Sequence, residues 1–388
     1  MRLSEKKKPS LVLSGGGVKA AAFHIGVCLA LREKGFKFAG GSPSKVLNDF
    51  AENEMTFKTY VGSSAGSIIA TLLASGFSVE SLIEAFAVGA GITNKRWINS
   101  GKKLRPLTYR DIFALNISSG HPSRLFPSFF NKKPLITGGL EVLLKQGFKV
   151  NGLFSTRNIE KYLRENVVED NYFSSLGVDL FIIATQLNHS RKVVFGNFEQ
   201  TTKTEEIKYA NYAQISHAVA ASTSLPPAFA PYKIPNDEGL EKYFFDGEIR
   251  DTLSTHVPYD FGSDLIIASY SIQPYHYNPE IGSLNEFGIP AIINQALYQV
   301  VEQKISTHRK HIRQLRSLIN AVDGYLKEIN LPTDQREKLL DILLSKTDFK
   351  PEVDTIYIHP NPKDYKFFFY DHFSLNPNIL ARIVQKGF

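Results

Sequence analysis

A serine in a turn flanked by glycines is the first feature of the sequence that could do chemistry. The stretch Gly62-Ser63-Ser64-Ala65-Gly66 lies between an apolar run at 56–61 and a helix-like run at 67–74. In a strand, turn and helix context, a G-x-S-x-G pattern exposes the serine Oγ as a nucleophile, and its glycines let the two backbones approach closely. We therefore predict Ser64 as the nucleophile, in a turn shaped by Gly62 and Gly66. The alternative is an ordinary Gly/Ser loop whose serine caps a helix.

A run of three glycines nearer the N-terminus could bind an anion. A short apolar strand at 9–14 leads into three glycines at 15–17, and an apolar helix follows at 18–31. Backbone N–H groups at a helix N-terminus lack partners and favour negative charge. The oxyanion of a tetrahedral acyl intermediate is one such anion. The predicted oxyanion site consists of Gly15, Gly16, Gly17, Val18 and Lys19.

A phosphate is the other anion that these glycines could bind. Residues 15–20 also match the dinucleotide pattern G-x-G-x-x-A, but that pattern requires a carboxylate about 20 residues further on, at the end of the second strand. Here the next apolar strand, at 56–61, ends in the serine turn instead. A Walker loop is excluded because no Gly-Lys-Ser/Thr follows at the required spacing. The oxyanion interpretation is favoured, since one sheet edge then carries both the donors and the nucleophile.

A serine nucleophile also needs a base, and the sequence offers an aspartate for this role. Asp246 follows the apolar run Tyr243-Phe244-Phe245, so we expect it at the carboxyl end of a strand, where sites in α/β proteins gather. Gly247 would then allow the chain to turn sharply. Taken alone, the pair is more typical of an ordinary Asp-Gly turn, but together with the two glycine motifs it favours a catalytic base.

The three motifs together resemble those of the patatin-like phospholipase family. The family pairs a GGGxR/KG loop with a GxSxG serine and a DGG or DGA aspartate, and this chain has GGGVKA at 15–20, GSSAG at 62–66 and DGE at 246–248. The segment at 221–232 is similar to the small-residue and proline stretch that precedes the family's aspartate strand. The resemblance spans about residues 9–270, with weaker similarity at 355–360 and 373–387. Ala20 and Glu248 depart from the family's pattern.

The resemblance implies a fold and a reaction. The fold is a patatin-like three-layer α/β sandwich with a mainly parallel central sheet. The reaction is hydrolysis of fatty acyl esters, such as phospholipids, through an acyl-enzyme, with Ser64 and Asp246 as a dyad and with no cofactor or metal. Ala20 should be tolerated in a helix, whereas Glu248 adds a carboxylate beside the predicted base and so affects its pKa.

Several points of this interpretation stay open at the level of sequence. The usual hydrolase order ends in a histidine, and His256 and His359 both follow the aspartate, so a triad is the alternative to the dyad. The Lys19 side chain either adds positive field near the oxyanion or faces solvent. The alternative functions are a general carboxylesterase or lysophospholipase, or a catalytically silent lipid-binding module.

The hydrophobic patterns divide the 388-residue chain into three segments. Strand and helix patterns alternate over 9–275, which predicts the catalytic α/β domain. Residues 283–346 are charged and have helical periodicity, so we expect a helical cap or insertion. Residues 351–388 should return as a strand and a C-terminal helix that pack on the catalytic domain.

Cysteine content and hydropathy bear on the compartment. A lone cysteine, Cys28, cannot form a disulfide framework or a zinc site within one chain. The basic N-terminus is followed by a run that contains glycines and charged residues, which is unlike a secretory signal. Unless an upstream segment has been removed, we expect a cytoplasmic protein.

The charge balance bears on partners. A net charge of +7 and a pI near 9.1 are consistent with an anionic surface, either nucleic acid or phospholipid. No recognition helix or RNA-binding aromatic motif accompanies the dispersed basic clusters, which argues against nucleic acid. The segment at 124–133 combines aromatic rings with flanking cations, as at a lipid headgroup boundary, so we predict possible peripheral membrane contact there. A core role for its phenylalanines is the favoured alternative.

Overall fold

The structure is a computed structural model that describes residues 5–50, 55–87, 104–116, 151–189, 191–250, 252–347 and 349–388. The predicted membrane-contact segment at 124–133 lies outside these residues. Among the described residues, no helix combines the length and the apolar character that crossing a membrane requires.

The described residues form strands of two to eight residues and helices of four to 41 residues. The strands are β1 (Pro9–Leu13), β2 (Lys37–Phe38), β3 (Thr56–Phe57), β4 (Thr59–Ser63), β5 (Ala114–Leu115), β6 (Phe154–Ser155), β7 (Asp179–Gln186), β8 (Arg191–Phe195), β9 (Thr202–Lys203), β10 (Ile207–Ala210), β11 (Tyr232–Pro235), β12 (Glu241–Asp246), β13 (Leu265–Ser269) and β14 (Asp354–Ile358). The helices are α1 (Gly17–Glu33), α2 (Pro43–Asp49), α3 (Ala65–Ala74), α4 (Val79–Ala87), α5 (Tyr109–Ile112), α6 (Arg157–Asn166), α7 (Ile215–Ser222), α8 (His256–Asp260), α9 (Gly288–Glu328), α10 (Thr333–Leu344), α11 (Tyr365–Phe368) and α12 (Pro377–Gly387). Short 3₁₀ turns occur at Phe173–Ser175, Gly247–Ile249 and Leu284–Phe287.

The central sheet is mainly parallel. Its strand order is β14-β13-β1-β4-β7-β8-β10-β9, with β12 paired to β7 and β11 paired to β12. The five strands β14, β13, β1, β4 and β7 run parallel to one another. β1 lies between β13 and β4 and is buried at every position, which explains its continuous apolar sequence. The sheet confirms the predicted α/β fold.

Two strands share one edge of β7, and this arrangement sets up the site. β4 runs parallel to β7 as far as Ser63, which pairs with Ile183. β12 runs antiparallel to β7 and ends at Asp246, which pairs with Ala184. Because Ile183 and Ala184 are consecutive, the carboxyl ends of β4 and β12 meet head-on along β7.

Helices cover both faces of this sheet. Leu11 and Leu13 of β1 belong to the larger buried cluster, which includes residues of α1, α3, α7 and α12. Val12 points to the other face and packs in a smaller cluster with Val257 of α8. Period-two alternation of the strand side chains thus divides the core into two layers beside the sheet.

The region after β13 is largely helical before the chain returns to the sheet. α9 is 41 residues long and is followed by α10. β14 then extends the sheet beside β13, and α12 packs closely on α1, since a Cβ added to Gly26 would clash with the carbonyl of Val384. The division of the chain into a catalytic domain, a helical cap and a packing C-terminal segment stays a prediction.

Candidate active site

Ser64 occupies the sharp turn between β4 and α3. Its backbone has φ 49° and ψ −125°, a conformation that L-residues rarely adopt and that stores strain at a functional turn. A Cβ on Gly62 would clash with the backbone of Ser67, and one on Gly66 would clash with the carbonyl groups of Leu13 and Ser14. The two flanking glycines are therefore required by close approach of the strand, the turn and the helix.

A second serine fixes the backbone of this turn. The Ser64 N–H donates to the Ser222 Oγ at 2.8 Å, and the Ser222 hydroxyl donates to the carbonyl of Ile183 at 2.5 Å. The Ser67 hydroxyl donates to the Ser64 carbonyl, also at 2.5 Å. The sequence had marked the segment at 221–232 by resemblance alone, and the role of Ser222 follows only from the fold.

Asp246 is brought beside Ser64 by the meeting of β4 and β12. The Ser64 hydroxyl is close enough to the carboxylate to lower its pKa by hydrogen bonding. The Glu248 N–H donates to Asp246 Oδ1 at 2.9 Å, while Oδ2 has no partner of full hydrogen-bond geometry among the described residues. Catalytic hydrogen bonds are often loose before substrate binds. The turn after Asp246 is tight, since a Cβ on Gly247 would come within 2.5 Å of the Ile183 carbonyl oxygen.

Burial dominates the electrostatics of Asp246. The residue has no exposed surface, and desolvation raises the pKa of its carboxyl to about 7, against the smaller lowering effects of Ser64 and of the Glu248 N–H. The sequence suggested that the carboxylate of Glu248 would affect the pKa of Asp246. In the structure this carboxylate accepts the Gly15 N–H of the glycine loop. A carboxyl with a pKa near neutrality is well suited to accept and return a proton.

The structure corrects the prediction that the Gly15 N–H belongs to the oxyanion site. This N–H donates to Glu248 Oε1 at 2.6 Å, so it is already bonded. A Cβ on Gly15 would clash with Glu248 and would lie 2.6 Å from the Cβ of Ser64. Gly15 therefore allows close approach of the loop to the serine and donates no hydrogen bond to a ligand.

The structure also corrects one of the two expectations for Lys19, that its side chain faces solvent. Its N–H donates to the His372 carbonyl at 3.2 Å. Its side chain is fully buried, and its Nζ donates to the Tyr298 hydroxyl at 3.3 Å and to the Phe367 carbonyl at 3.1 Å. Burial lowers the pKa of Lys19 to about 7.

Three amides of the predicted oxyanion site remain available. The N–H groups of Gly16, Gly17 and Val18 have no acceptor within the part of the chain that the structure describes. Gly16 and Gly17 have φ values of 129° and 69°, which glycine adopts readily. They open α1, where unsatisfied N–H groups and the helix dipole favour an anion.

An apolar pocket begins at these amides and at the serine. Gly17, Val18 and Ser64 form one wall, and most of the remaining lining is aliphatic or aromatic. The other lining residues are Ala21, Ala65, Ile68, Leu107, Ile112, Ile159, Thr223, Leu225, Phe229 and Phe373. Phe373 comes from the C-terminal segment, which weaker similarity to the family marked without indicating that it would reach the site.

The two histidines considered for a triad are engaged elsewhere. His256 Nδ1 lies 3.4 Å from Lys192 Nζ. His359 Nδ1 lies 2.9 Å from the Pro360 carbonyl, and its ring stacks on Tyr270. Neither histidine contacts Ser64 or Asp246 among the described residues, so neither completes a triad with them.

The described residues contain no group of three or more His, Cys, Asp or Glu side chains arranged to hold a metal ion. Cys28 is buried in α1, and burial raises the pKa of its thiol to about 12. It therefore packs as a small apolar side chain.

Comparisons with known proteins place the chain in a family. A search of curated proteins found no match. Among solved structures, VipD from Legionella pneumophila is 15% identical over 98% of this chain and 67% of its own, with a TM-score of 0.34. The family model "Patatin-like phospholipase" matches residues 11–259, more than half of the chain and including all three motifs. The chain therefore belongs to the patatin-like phospholipase family.

Proposed function

We propose that this protein is a serine lipid acyl hydrolase that cleaves fatty acyl esters through an acyl-enzyme, with Ser64 as nucleophile and Asp246 as the only base. The observation that carries the proposal is the meeting of β4 and β12 on β7, which brings the strained Ser64 to a fully buried carboxylate. Family membership supports lipid hydrolysis at the level of reaction class.

In the first half-reaction, Asp246 accepts the Ser64 proton while Oγ attacks the carbonyl carbon of the ester. The carbonyl oxygen gains the negative charge and is stabilised by the N–H groups of Gly16, Gly17 and Val18. Each such donor is worth about 10²- to 10³-fold in rate. When the intermediate collapses, the ester C–O bond breaks, Asp246 returns its proton to the leaving alcohol or lysolipid, and the acyl group stays on Ser64.

In the second half-reaction, water replaces the alcohol. Asp246 accepts a proton from the water while the water oxygen attacks the acyl carbon. The same amides stabilise the second oxyanion. The bond between the acyl carbon and Ser64 Oγ then breaks, Asp246 returns the proton to Oγ, and the fatty acid leaves. One group therefore serves as base and acid in turn, which a pKa of about 7 permits.

The pocket supports an acyl chain as the part of the substrate that is bound. Its lining is mostly aliphatic and aromatic from Ile68 through Phe373, and burial of each CH₂ contributes about 0.8 kcal/mol. A long-chain ester should therefore be bound through its acyl portion, with the ester carbonyl beside Ser64. This feature favours a lipid hydrolase over an esterase for small polar esters.

Hydrolysis assays with paired serine variants test the proposal. Ser64→Ala should reduce ester hydrolysis by several orders of magnitude, because the nucleophile is lost. Ser63→Ala is the matched control: it removes a neighbouring buried hydroxyl that has no partner among the described residues, so activity should stay near that of wild type.

The substrates in the same assay separate the alternatives. Diacyl phospholipids, lysophospholipids and short-chain esters should all be tested, with intact diacyl phospholipid turned over under the proposal. Activity on short-chain esters alone would indicate a carboxylesterase, and activity on lysolipids alone a lysophospholipase. A wild-type protein that binds lipid vesicles without hydrolysing any ester would indicate a silent lipid-binding module.

A further inference from the structure

A short C-terminal segment, 364–376, contacts the glycine loop from outside the region that matches the family. The His372 carbonyl accepts the Lys19 N–H at 3.2 Å, and His372 Nδ1 lies 3.2 Å from the carbonyl oxygen of Gly16. A Cβ on Gly17 would come within 2.5 Å of the same His372 carbonyl oxygen. His372 thus contacts the backbone at three positions, Gly16, Gly17 and Lys19, at the start of α1.

Two of the peptide units of the loop, Ser14–Gly15 and Gly16–Gly17, are held differently. In the Ser14–Gly15 unit, the carbonyl of Ser14 accepts from His24 Nε2 at 2.8 Å and the N–H of Gly15 donates to Glu248. Both polar groups of that unit are occupied. In the Gly16–Gly17 unit, only the carbonyl is bonded: His372 Nδ1 lies 3.2 Å from its oxygen, which also accepts the Ala20 N–H at the longer distance of 3.4 Å.

Because the peptide is planar, the contact of His372 with the Gly16 carbonyl also sets the direction of the Gly17 N–H. The C=O and N–H of a planar trans peptide point in opposite directions. Holding the Gly16 carbonyl toward His372 therefore directs the Gly17 N–H away from it. Gly17 lines the pocket together with Ser64, so this N–H is directed to the side where the oxyanion forms.

A chain of donors fixes the protonation of the histidine. A carbonyl oxygen can only accept, so Nδ1 carries the proton and donates to Gly16. Nε2 of the neutral ring must then accept, and the Tyr298 hydroxyl lies 2.8 Å from it. Tyr298 in turn accepts from Lys19 Nζ at 3.3 Å. Burial, and then the charge of Lys19, lower the pKa of His372 to about 4, which keeps the ring neutral near pH 7.

We infer that His372 is a positioning residue of the oxyanion loop, which holds the Gly16–Gly17 peptide so that the Gly17 N–H is directed at the developing oxyanion, with Tyr298 of α9 fixing its tautomer. The inference rests on the proposed function, since it explains how the peptide groups of the proposed active site are oriented. It also gives α9 a part in catalysis and adds a second role to the C-terminal segment, whose Phe373 already lines the pocket.

Two substitutions of His372 separate positioning from packing. His372→Leu fills the space without a donor, so kcat should fall about 10- to 100-fold, because a misplaced donor loses much of its transition-state stabilisation. KM should change less than about twofold, since the lost interaction forms only in the transition state. His372→Asn places an amide N–H near the position of Nδ1 and should restore most of the rate.

Binding of an alkyl boronic acid gives a second readout. This probe forms a tetrahedral adduct on a serine and places an oxygen in the oxyanion site. Its Kd should rise in His372→Leu by about the same factor as kcat/KM falls, and should return toward wild type in His372→Asn. If His372→Leu does not fold, Tyr298→Phe offers the milder change: it leaves the ring in place but removes the donor to Nε2, and kcat should fall by a smaller factor.

The outcomes distinguish the inference from the proposed function. A wild-type protein without Ser64-dependent hydrolysis would overturn both. A wild-type protein with that activity, together with a His372→Leu variant that retains its kcat, would overturn the inference alone. Equal impairment of the Leu and Asn variants, or a change confined to KM, would also overturn it, because packing would then account for the effect.

Discussion

At the scale of single residues, burial gives Asp246 its chemical character. A surface aspartate is fully ionised near neutral pH and is a weak base, whereas desolvation raises the pKa of Asp246 to about 7. The cost is that the folded protein must bury a charge when this group ionises. The proposed base should therefore lower the stability of the folded protein at alkaline pH.

The activity of the wild-type protein should follow the ionisation of Asp246. Only the carboxylate can accept the serine proton, so kcat/KM should rise as pH increases through about 7 and then level off. Asp246→Asn should lower kcat/KM about 10²- to 10⁴-fold on the plateau above pH 7 and should remove the rise through pH 7, because an amide cannot act as a base. A pH–rate profile of both proteins with a soluble ester checks this. An unchanged profile in the variant would contradict the assignment of the base.

The same substitution has a consequence for stability. The folded pKa of Asp246 is raised, so ionisation favours the unfolded chain, and stability is lost as pH rises from the unfolded value of 3.8 through about 7. Asp246→Asn should therefore have a higher Tm than wild type at pH 8, with a smaller difference at pH 5. Thermal unfolding of both proteins at the two pH values measures this difference in Tm. A Tm for Asp246→Asn below that of wild type at pH 8 would contradict the prediction.

At the scale of elements, local sequence was sufficient to locate the turns but not the contacts that complete them. The glycine loop, the serine turn and the aspartate turn each carry their signal within five or six residues. The partner of Gly15 is 233 residues away, the partner of the Ser64 N–H is 158 residues away, and His372 is 356 residues from Gly16. No periodicity or motif encodes such pairings, which explains why the bond from Gly15 to Glu248 and the burial of Lys19 could not be predicted.

The packing of α12 on α1 can be tested with one pair of glycine substitutions. Gly26→Ala should lower the free energy of unfolding by about 1–3 kcal/mol, because the added methyl group would clash with the Val384 carbonyl. Gly324→Ala in α9 is the matched control: nothing lies within 4 Å of its Cβ position. It should raise stability by about 0.5–1 kcal/mol, since Ala is the better helix former. Urea unfolding of both variants measures whether each substitution lowers or raises the free energy of unfolding.

If Gly26→Ala were as stable as wild type, α12 would not pack on α1 as described. The comparison matters for the site because α1 begins at the oxyanion loop and α12 directly follows the segment that carries His372. A loosened α1–α12 contact should therefore reduce ester turnover together with stability, whereas Gly324→Ala should leave turnover unchanged.

At the scale of the whole molecule, charge bears on how the protein reaches its substrate. The chain has a net charge of +7, and a lipid substrate is presented at a surface that is often anionic. Electrostatic attraction of this kind acts over about 8 Å at physiological ionic strength and shortens as salt rises. Sedimentation with anionic vesicles should therefore exceed that with zwitterionic vesicles, and the difference should shrink in high salt.

The aromatic segment at 124–133 should contribute to this binding if its rings enter the headgroup region. Replacing both Phe129 and Phe130 with serine should weaken vesicle binding, because apolar burial at the interface is lost, and should leave turnover of a soluble short-chain ester unchanged. Tyr277→Ser is the control, since it removes an aromatic ring that is 72% exposed elsewhere on the chain, and it should not affect vesicle binding. Equal loss of vesicle binding and of short-chain turnover in the double variant, or a fall in its Tm, would show that the two rings belong to the core. If vesicle binding changed neither with salt nor with these substitutions, neither the basic charge nor this segment would be the means of membrane contact.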